Sequence, residues 1–168
     1  MERRARQLQS QEKTMLKPIL LVEDNPNDLE LTLVALDKSQ LANEVIVARD
    51  GQEAIDYLTC EGEWKERAPG NPAVILLDLK LPKIDGLEVL DMIRSNASLK
   101  SVPVVMLTSS REEQDLIRSY ELGVNAYVVK PVEFAEFVEA IGDLGVFWAV
   151  LNEPPPGSTR FRRPTSTQ

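Results

Sequence analysis

The chain has 168 residues, 43% of them hydrophobic, with a formal net charge of −8, a single cysteine and no histidine. That is enough apolar material for one domain with its own core, and the acidic balance argues against general nucleic-acid binding, which needs clustered Lys and Arg. The missing histidine excludes histidine-based triads, histidine-ligated zinc and phosphohistidine on this chain, while Cys60 alone makes neither an intrachain disulfide nor a cysteine-rich metal site.

Residues 1–16 open with "MERRARQLQSQEKTM", which is charged and lacks the apolar middle of a secretory signal, so a disordered arm and a cytoplasmic location are expected. "ILLV" (19–22) reads as a buried strand. A helix follows over 26–39, with Asn25 as N-cap, Pro26 in its first turn and Leu29, Leu33 and Leu36 on the inner face. "EVIVA" (44–48) is a strand, and 51–60 a helix that turns Ala54, Ile55 and Leu58 inward. "EGEWKERAPGNP" (61–72) reads as a polar loop with two prolines, and "AVILLD" (73–78) as a third strand. Then come a helix over 87–95, a strand over 102–109, and a helix over 111–123 that Gly123 can close in a left-handed conformation. A fifth strand spans 125–130 and a long last helix spans 132–151. Nowhere does an apolar run approach the about 20 residues that cross a bilayer, so no membrane association is expected.

Five strand–helix units in strict alternation predict an α/β domain with a parallel sheet and helices on both faces. Ligands of such sheets bind beyond the carboxyl ends of the strands. The residues at those ends are Glu23 and Asp24, Asp78, Thr108 with Ser109 and Ser110, and Lys130 before Pro131. Taken singly, each has an ordinary reading. Glu23 and Asp24 could be a charged helix start, Thr108 a loop hydroxyl and Lys130 a solvated side chain. Asp78 is harder to dismiss, because it directly follows Val74, Ile75, Leu76 and Leu77. Three carboxylates at close range need compensation, which Lys130 and a divalent cation would supply. Mg²⁺ suits such a site, since it takes carboxylate ligands and favours places that also hold a phosphoryl group. The cluster therefore favours phosphoryl transfer onto Asp78, with Lys130 neutralising the phosphoryl oxygens and Thr108 donating to one of them.

Over roughly residues 17–150 the chain resembles the receiver domain of two-component response regulators. The resemblance rests on "LLVEDNPND", "DLKLPKIDG", "MLTSS" and "NAYVVKP". It implies a doubly wound, flavodoxin-like fold with strand order 2-1-3-4-5, and phosphorylation of Asp78 by a sensor histidine kinase. It also implies Mg²⁺ held by Asp24, Asp78 and the backbone carbonyl of Lys80, with Glu23 acting through water. Thr108 becomes the switch hydroxyl, Tyr127 the aromatic that changes rotamer, and Lys130 the phosphate-binding cation, followed by a cis peptide to Pro131. Lys80 and Ser110 would tune the lifetime of the acyl phosphate. The loop around "CEGEWKERAPGNP" and the ending "FWAVLNEPPP" look like the small receivers that serve phytochrome kinases, which makes a phytochrome the expected partner.

Rival readings are weaker. A haloacid-dehalogenase phosphatase needs a second Asp two residues after the nucleophile, and Lys80 stands there. "EDNPND" would repel the phosphate of a flavin, and neither nucleotide-binding glycine motif occurs. The alternative kept open is a scaffold that retains the receiver shape without phosphorylation. The chemistry expected is thus self-phosphorylation with Mg²⁺ and slow self-dephosphorylation, not turnover of a separate substrate. The receiver is expected over 17–151, and 152–168 is a Pro-rich tail with no output domain, leaving the receiver's own surface to carry the signal. The last helix is apolar on more than one side. Phe147 and Trp148 lie about 100° apart on it and cannot both point inward, so a homodimer through the fourth helix, fifth strand and fifth helix is expected.

Overall fold

Strands β1 (Ile19–Val22) and β3 (Val74–Leu77) are apolar at every position and every side chain in them is buried, as the centre of a doubly covered sheet requires. The computed structural model describes residues 16–130 and 133–148, so all but the last residue of the expected N-terminal arm, the C-terminal tail and Pro131 with its peptide bond lie outside the described residues. With β2 (Val45–Ala48), β4 (Val104–Thr108) and β5 (Ala126–Val129) the strands form one parallel sheet of order β2-β1-β3-β4-β5, as expected. The helices are α1 (Pro26–Lys38), α2 (Gly51–Thr59), α3 (Gly86–Ser95), α4 (Glu113–Glu121) and α5 (Phe134–Val146).

Alternate residues of each strand feed two separate cores. Ile19, Leu21, Val74, Leu76, Val105 and Leu107 meet Leu29, Ala35 and Leu36 of α1 and Phe137 and Ile141 of α5. Leu20, Val22, Ile75, Leu77, Val104 and Met106 meet Ala54, Ile55 and Leu58 of α2 and Val89, Leu90 and Ile93 of α3.

Several boundaries are tighter than the sequence pattern suggests. β4 starts after Pro103, which lacks an N–H and contributes only its carbonyl, accepting from Ile75 at 2.9 Å. The loop over 61–72 is not merely polar. A single 3-10 turn at Gly62–Trp64 sets Trp64 edge-on against Tyr57, with ring centroids 5.0 Å apart, and the Arg67 guanidinium lies 4.1 Å over the Tyr57 ring. Helix α4 begins at Glu113 because the preceding residues are held as a loop by Ser110. Regular α5 ends at Val146, and the chain continues through Phe147 and Trp148 in a wider helical turn.

Candidate functional site

The parallel ladder runs one rung past the strands at their carboxyl ends. Glu23 N–H donates to the Ala48 carbonyl (3.0 Å), Asp78 N–H to Val22 (3.0 Å), and Lys130 N–H to Thr108 (2.8 Å). Register alone therefore brings Glu23, Asp78, Thr108 and Lys130 to one edge of the sheet, as the strand-end reading expected. Glu23, Asp78 and Thr108 are buried and Asp24 is exposed. Glu23, Asp24 and Asp78 each offer a carboxylate oxygen within 4.8 Å of the others, and this all-oxygen donor set fits a single hard divalent cation.

Local structure fixes each side chain. The Asp78 Oδ1 accepts the Leu79 N–H at 2.7 Å, which orients the carboxylate from its own backbone. The turn after it depends on Gly86, whose N–H donates to the Leu79 carbonyl at 2.8 Å; a Cβ there would overlap the Asp78 carbonyl. Asp85 and Glu88 then close a reciprocal capping box that starts α3. Asn25 is the N-cap of α1 as expected, accepting from the N–H groups of Asn27 and Asp28, while its own N–H donates to Glu23 Oε1 at 3.0 Å.

Lys130 is the centre of the charge network. Its ammonium donates to Glu23 Oε2 (2.5 Å), Asp28 Oδ2 (3.0 Å) and Asp78 Oδ2 (3.4 Å). Burial alone would lower the Lys130 pKa, but hydrogen bonding to Glu23 and the charge of Asp78 outweigh it, and the group is held above its usual range. Burial pushes Glu23 up to about 7 against the opposing pull of Lys130. The Glu23 side chain is only 2% exposed, so removal of water from its carboxylate outweighs its single cationic partner.

A second network joins the loop after β4 to its neighbours. Thr108 Oγ1 accepts the Ser110 N–H (3.2 Å), Ser110 Oγ donates to Asp115 Oδ2 (2.7 Å), and the Tyr127 hydroxyl donates to the Ser110 carbonyl (3.1 Å). Burial raises the Tyr127 hydroxyl above its ordinary pKa, consistent with a neutral donor in that bond. The Lys80 ammonium reaches Asp115 at 3.6 Å from an exposed side chain, so Lys80 and Ser110 meet on one carboxylate. Asp28 and Asp115 were not singled out in the sequence. Each lies in the first turn of a helix, where an acidic residue has an ordinary role at the dipole. Their only sequence signal is their place just after the strand ends.

Phe147 and Trp148 diverge, as their spacing requires. Trp148 packs against the α1/α5 core, whereas Phe147 is half exposed, and the two rings meet edge to face at 5.0 Å. Leu116, Ile117 and Tyr120 on α4 are exposed too. Among the described residues no helix is long and apolar enough to cross a membrane.

The family model described as the response regulator receiver domain matches residues 19–142. Response regulator Rcp1 of Synechocystis sp. is 44% identical over 139 residues, covering 83% of this chain and 93% of Rcp1. The Mn²⁺-bound form of Rcp1 superposes with a TM-score of 0.76 at 42% identity, over 83% of this chain and 99% of that one. The phosphorylated cyanobacterial phytochrome response regulator RcpA gives a TM-score of 0.77 at 42% identity, with the same coverage. The bacteriophytochrome response regulator RtBRR is 73% identical, with a TM-score of 0.70 over 86% of this chain and 87% of its own. A match that runs through all five strands, joined to relatives of this similarity, means that the chain belongs to the response regulator receiver family, in its phytochrome-associated branch.

Proposed function

We propose that this chain, in the cytoplasm, accepts a phosphoryl group on Asp78 from a sensor histidine kinase of the phytochrome type, and signals through its own receiver surface. One observation carries the reading. A carboxylate at the end of a core strand lies 3.4 Å from a buried ammonium and within 4.8 Å of two further acidic ligands. The relatives support the rest: RcpA is a phosphorylated phytochrome response regulator, and Rcp1 binds Mn²⁺. Asp24, Asp78 and the Lys80 carbonyl would hold Mg²⁺, with Glu23 acting through water. When bound, the ion supplies two positive charges against the phosphoryl oxygens.

In the transfer a carboxylate oxygen of Asp78 forms a bond to phosphorus while the bond from phosphorus to the donor breaks. The donor leaves with that electron pair. Lys130 then meets one phosphoryl oxygen and the Thr108 hydroxyl donates to another, giving up the bond it accepts from Ser110. That movement releases the loop pinned by Tyr127, so Tyr127 rotates inward and the α4–β5–α5 face changes. Lys80 and Ser110 flank the site and set how readily water reaches the acyl phosphate. The same face, with Phe147 and Trp148 at the end of α5, forms a homodimer.

Labelling with acetyl phosphate tests the reading. Intact-protein mass measurement should show one phosphoryl group on the wild type in Mg²⁺, and none on Asp78→Asn or in excess chelator. Thr108→Ala should accept the group without the accompanying change in the Tyr127 environment. Robust labelling of the Asp78→Asn variant overturns the assignment.

A further inference from the structure

Asp28 stands outside the set of residues that hold the cation or the phosphoryl group, yet it takes one of the three donors of Lys130. An ammonium has three N–H groups, and here they go to Glu23, Asp28 and Asp78, with the phosphoacceptor the most distant. To meet a phosphoryl oxygen, the ammonium must release a partner. Glu23 is sealed beneath it at 2% exposure, whereas the Asp28 side chain is 35% exposed at the rim. Asp28 is also the fourth carboxylate of the cluster, after Glu23, Asp24 and Asp78. Lys130 and one divalent cation compensate only three of them, so one negative charge remains uncompensated. The backbone of Asp28 is fixed in the first turn of α1: its N–H donates to the Asn25 cap, and its carbonyl accepts the Thr32 hydroxyl at 2.8 Å.

We propose that Asp28 is a positioning and specificity-determining residue that restrains Lys130 and places a negative charge at the mouth of the site, lowering reactivity toward small, free acyl phosphates. The inference rests on the reading of Asp78 as the phosphoacceptor. A phosphoryl group delivered by a protein partner arrives with binding energy from remote contacts that can offset the restraint. A small anion has no such contacts and meets the full electrostatic penalty. Charge at the rim of a site acts on approach as well as on binding, and it is screened by salt.

The experiment compares wild type, Asp28→Asn and Asp28→Glu in Mg²⁺, with acetyl phosphate as donor and with beryllofluoride as a non-reacting phosphoryl mimic. In the transfer the P–O bond to the acetyl oxygen breaks, and acetate departs as the Asp78 oxygen bonds phosphorus. Asp28→Asn should be labelled about three- to ten-fold faster at low ionic strength, the size of effect a partly exposed charge supports. It should bind beryllofluoride tighter by a similar factor, and both gains should shrink as salt is added. Asp28→Glu, which restores the charge, should return toward wild type. A purely structural role predicts the opposite sign, since loss of a first-turn carboxylate weakens the helix start. Unchanged or slower labelling of a folded Asp28→Asn variant, with unchanged beryllofluoride affinity, overturns the proposal. If neither the folded wild type nor the folded Asp28→Asn variant takes label or binds beryllofluoride, the reading of Asp78 is overturned instead, and this inference falls with it.

Discussion

Among the described residues, Glu23 is the one whose ionisation its surroundings shift furthest. Its carboxyl is pushed up to about 7 from an ordinary 4.5, chiefly by burial. In metal-free protein the folded state therefore holds a proton, between those pH values, that the unfolded chain has released. The native state binds more protons there, so stability declines as pH rises through that window. Urea titrations in chelator from pH 5 to 7.5 should show the midpoint falling for the wild type and staying nearly level for Glu23→Gln. Excess Mg²⁺ should restore stability at the upper end, because a cation between the carboxylates replaces the lost proton.

Between elements, Arg94 from the last turn of α3 joins that helix to the β4 and β5 side of the sheet. Its guanidinium donates to the carbonyls of Gly123 (2.9 Å), Lys100 (3.1 Å) and Val102 (2.8 Å) and to Asn125 Oδ1 (2.9 Å). Asn125 Oδ1 also accepts the Val104 N–H at 2.8 Å, so one side chain ties the end of α3 to the starts of β4 and β5. Arg94→Met keeps the apolar stem and removes every donor. It should cost about 1–3 kcal/mol, the scale of losing several bonds from a charged donor of which only the one to the Val102 carbonyl is part-buried, read as a lower denaturation midpoint with an unchanged slope. Arg94→Lys should recover only part of this, because an ammonium lacks the planar fork.

For the whole molecule, edge strand β5 lies between two helices that expose apolar side chains: Leu116, Ile117 and Tyr120 on α4, and Val146 and Phe147 on α5. Trp148 already serves the core beneath α5, so Phe147 is the cleaner probe of the proposed dimer. Sedimentation at tens of micromolar should give a dimer for the wild type and a monomer for Phe147→Ser with Ile117→Ser, while thermal stability changes little. A monomeric wild type, with and without acetyl phosphate, rules the dimer out.

The run Val74–Leu77 ending on Asp78 and the strict alternation of strand and helix were enough to read the sheet, its order through the family resemblance, and the strand-end residues that meet at the site. Those features are local: a continuous apolar run and a helical period are written in neighbouring residues. Asp28 and Asp115 were not legible, because an acidic residue in a first helical turn looks the same whether it faces solvent or a cation. Asp28 meets Lys130 from 102 positions away. Arg94 drew no reading of its own, and Trp64 read as part of a polar loop, until packing gave them Asn125 and Tyr57. Periodicity showed that Phe147 and Trp148 must diverge but not which one turns inward. Sheet register and helix packing decided all of these, since they alone set which distant side chains share a desolvated space.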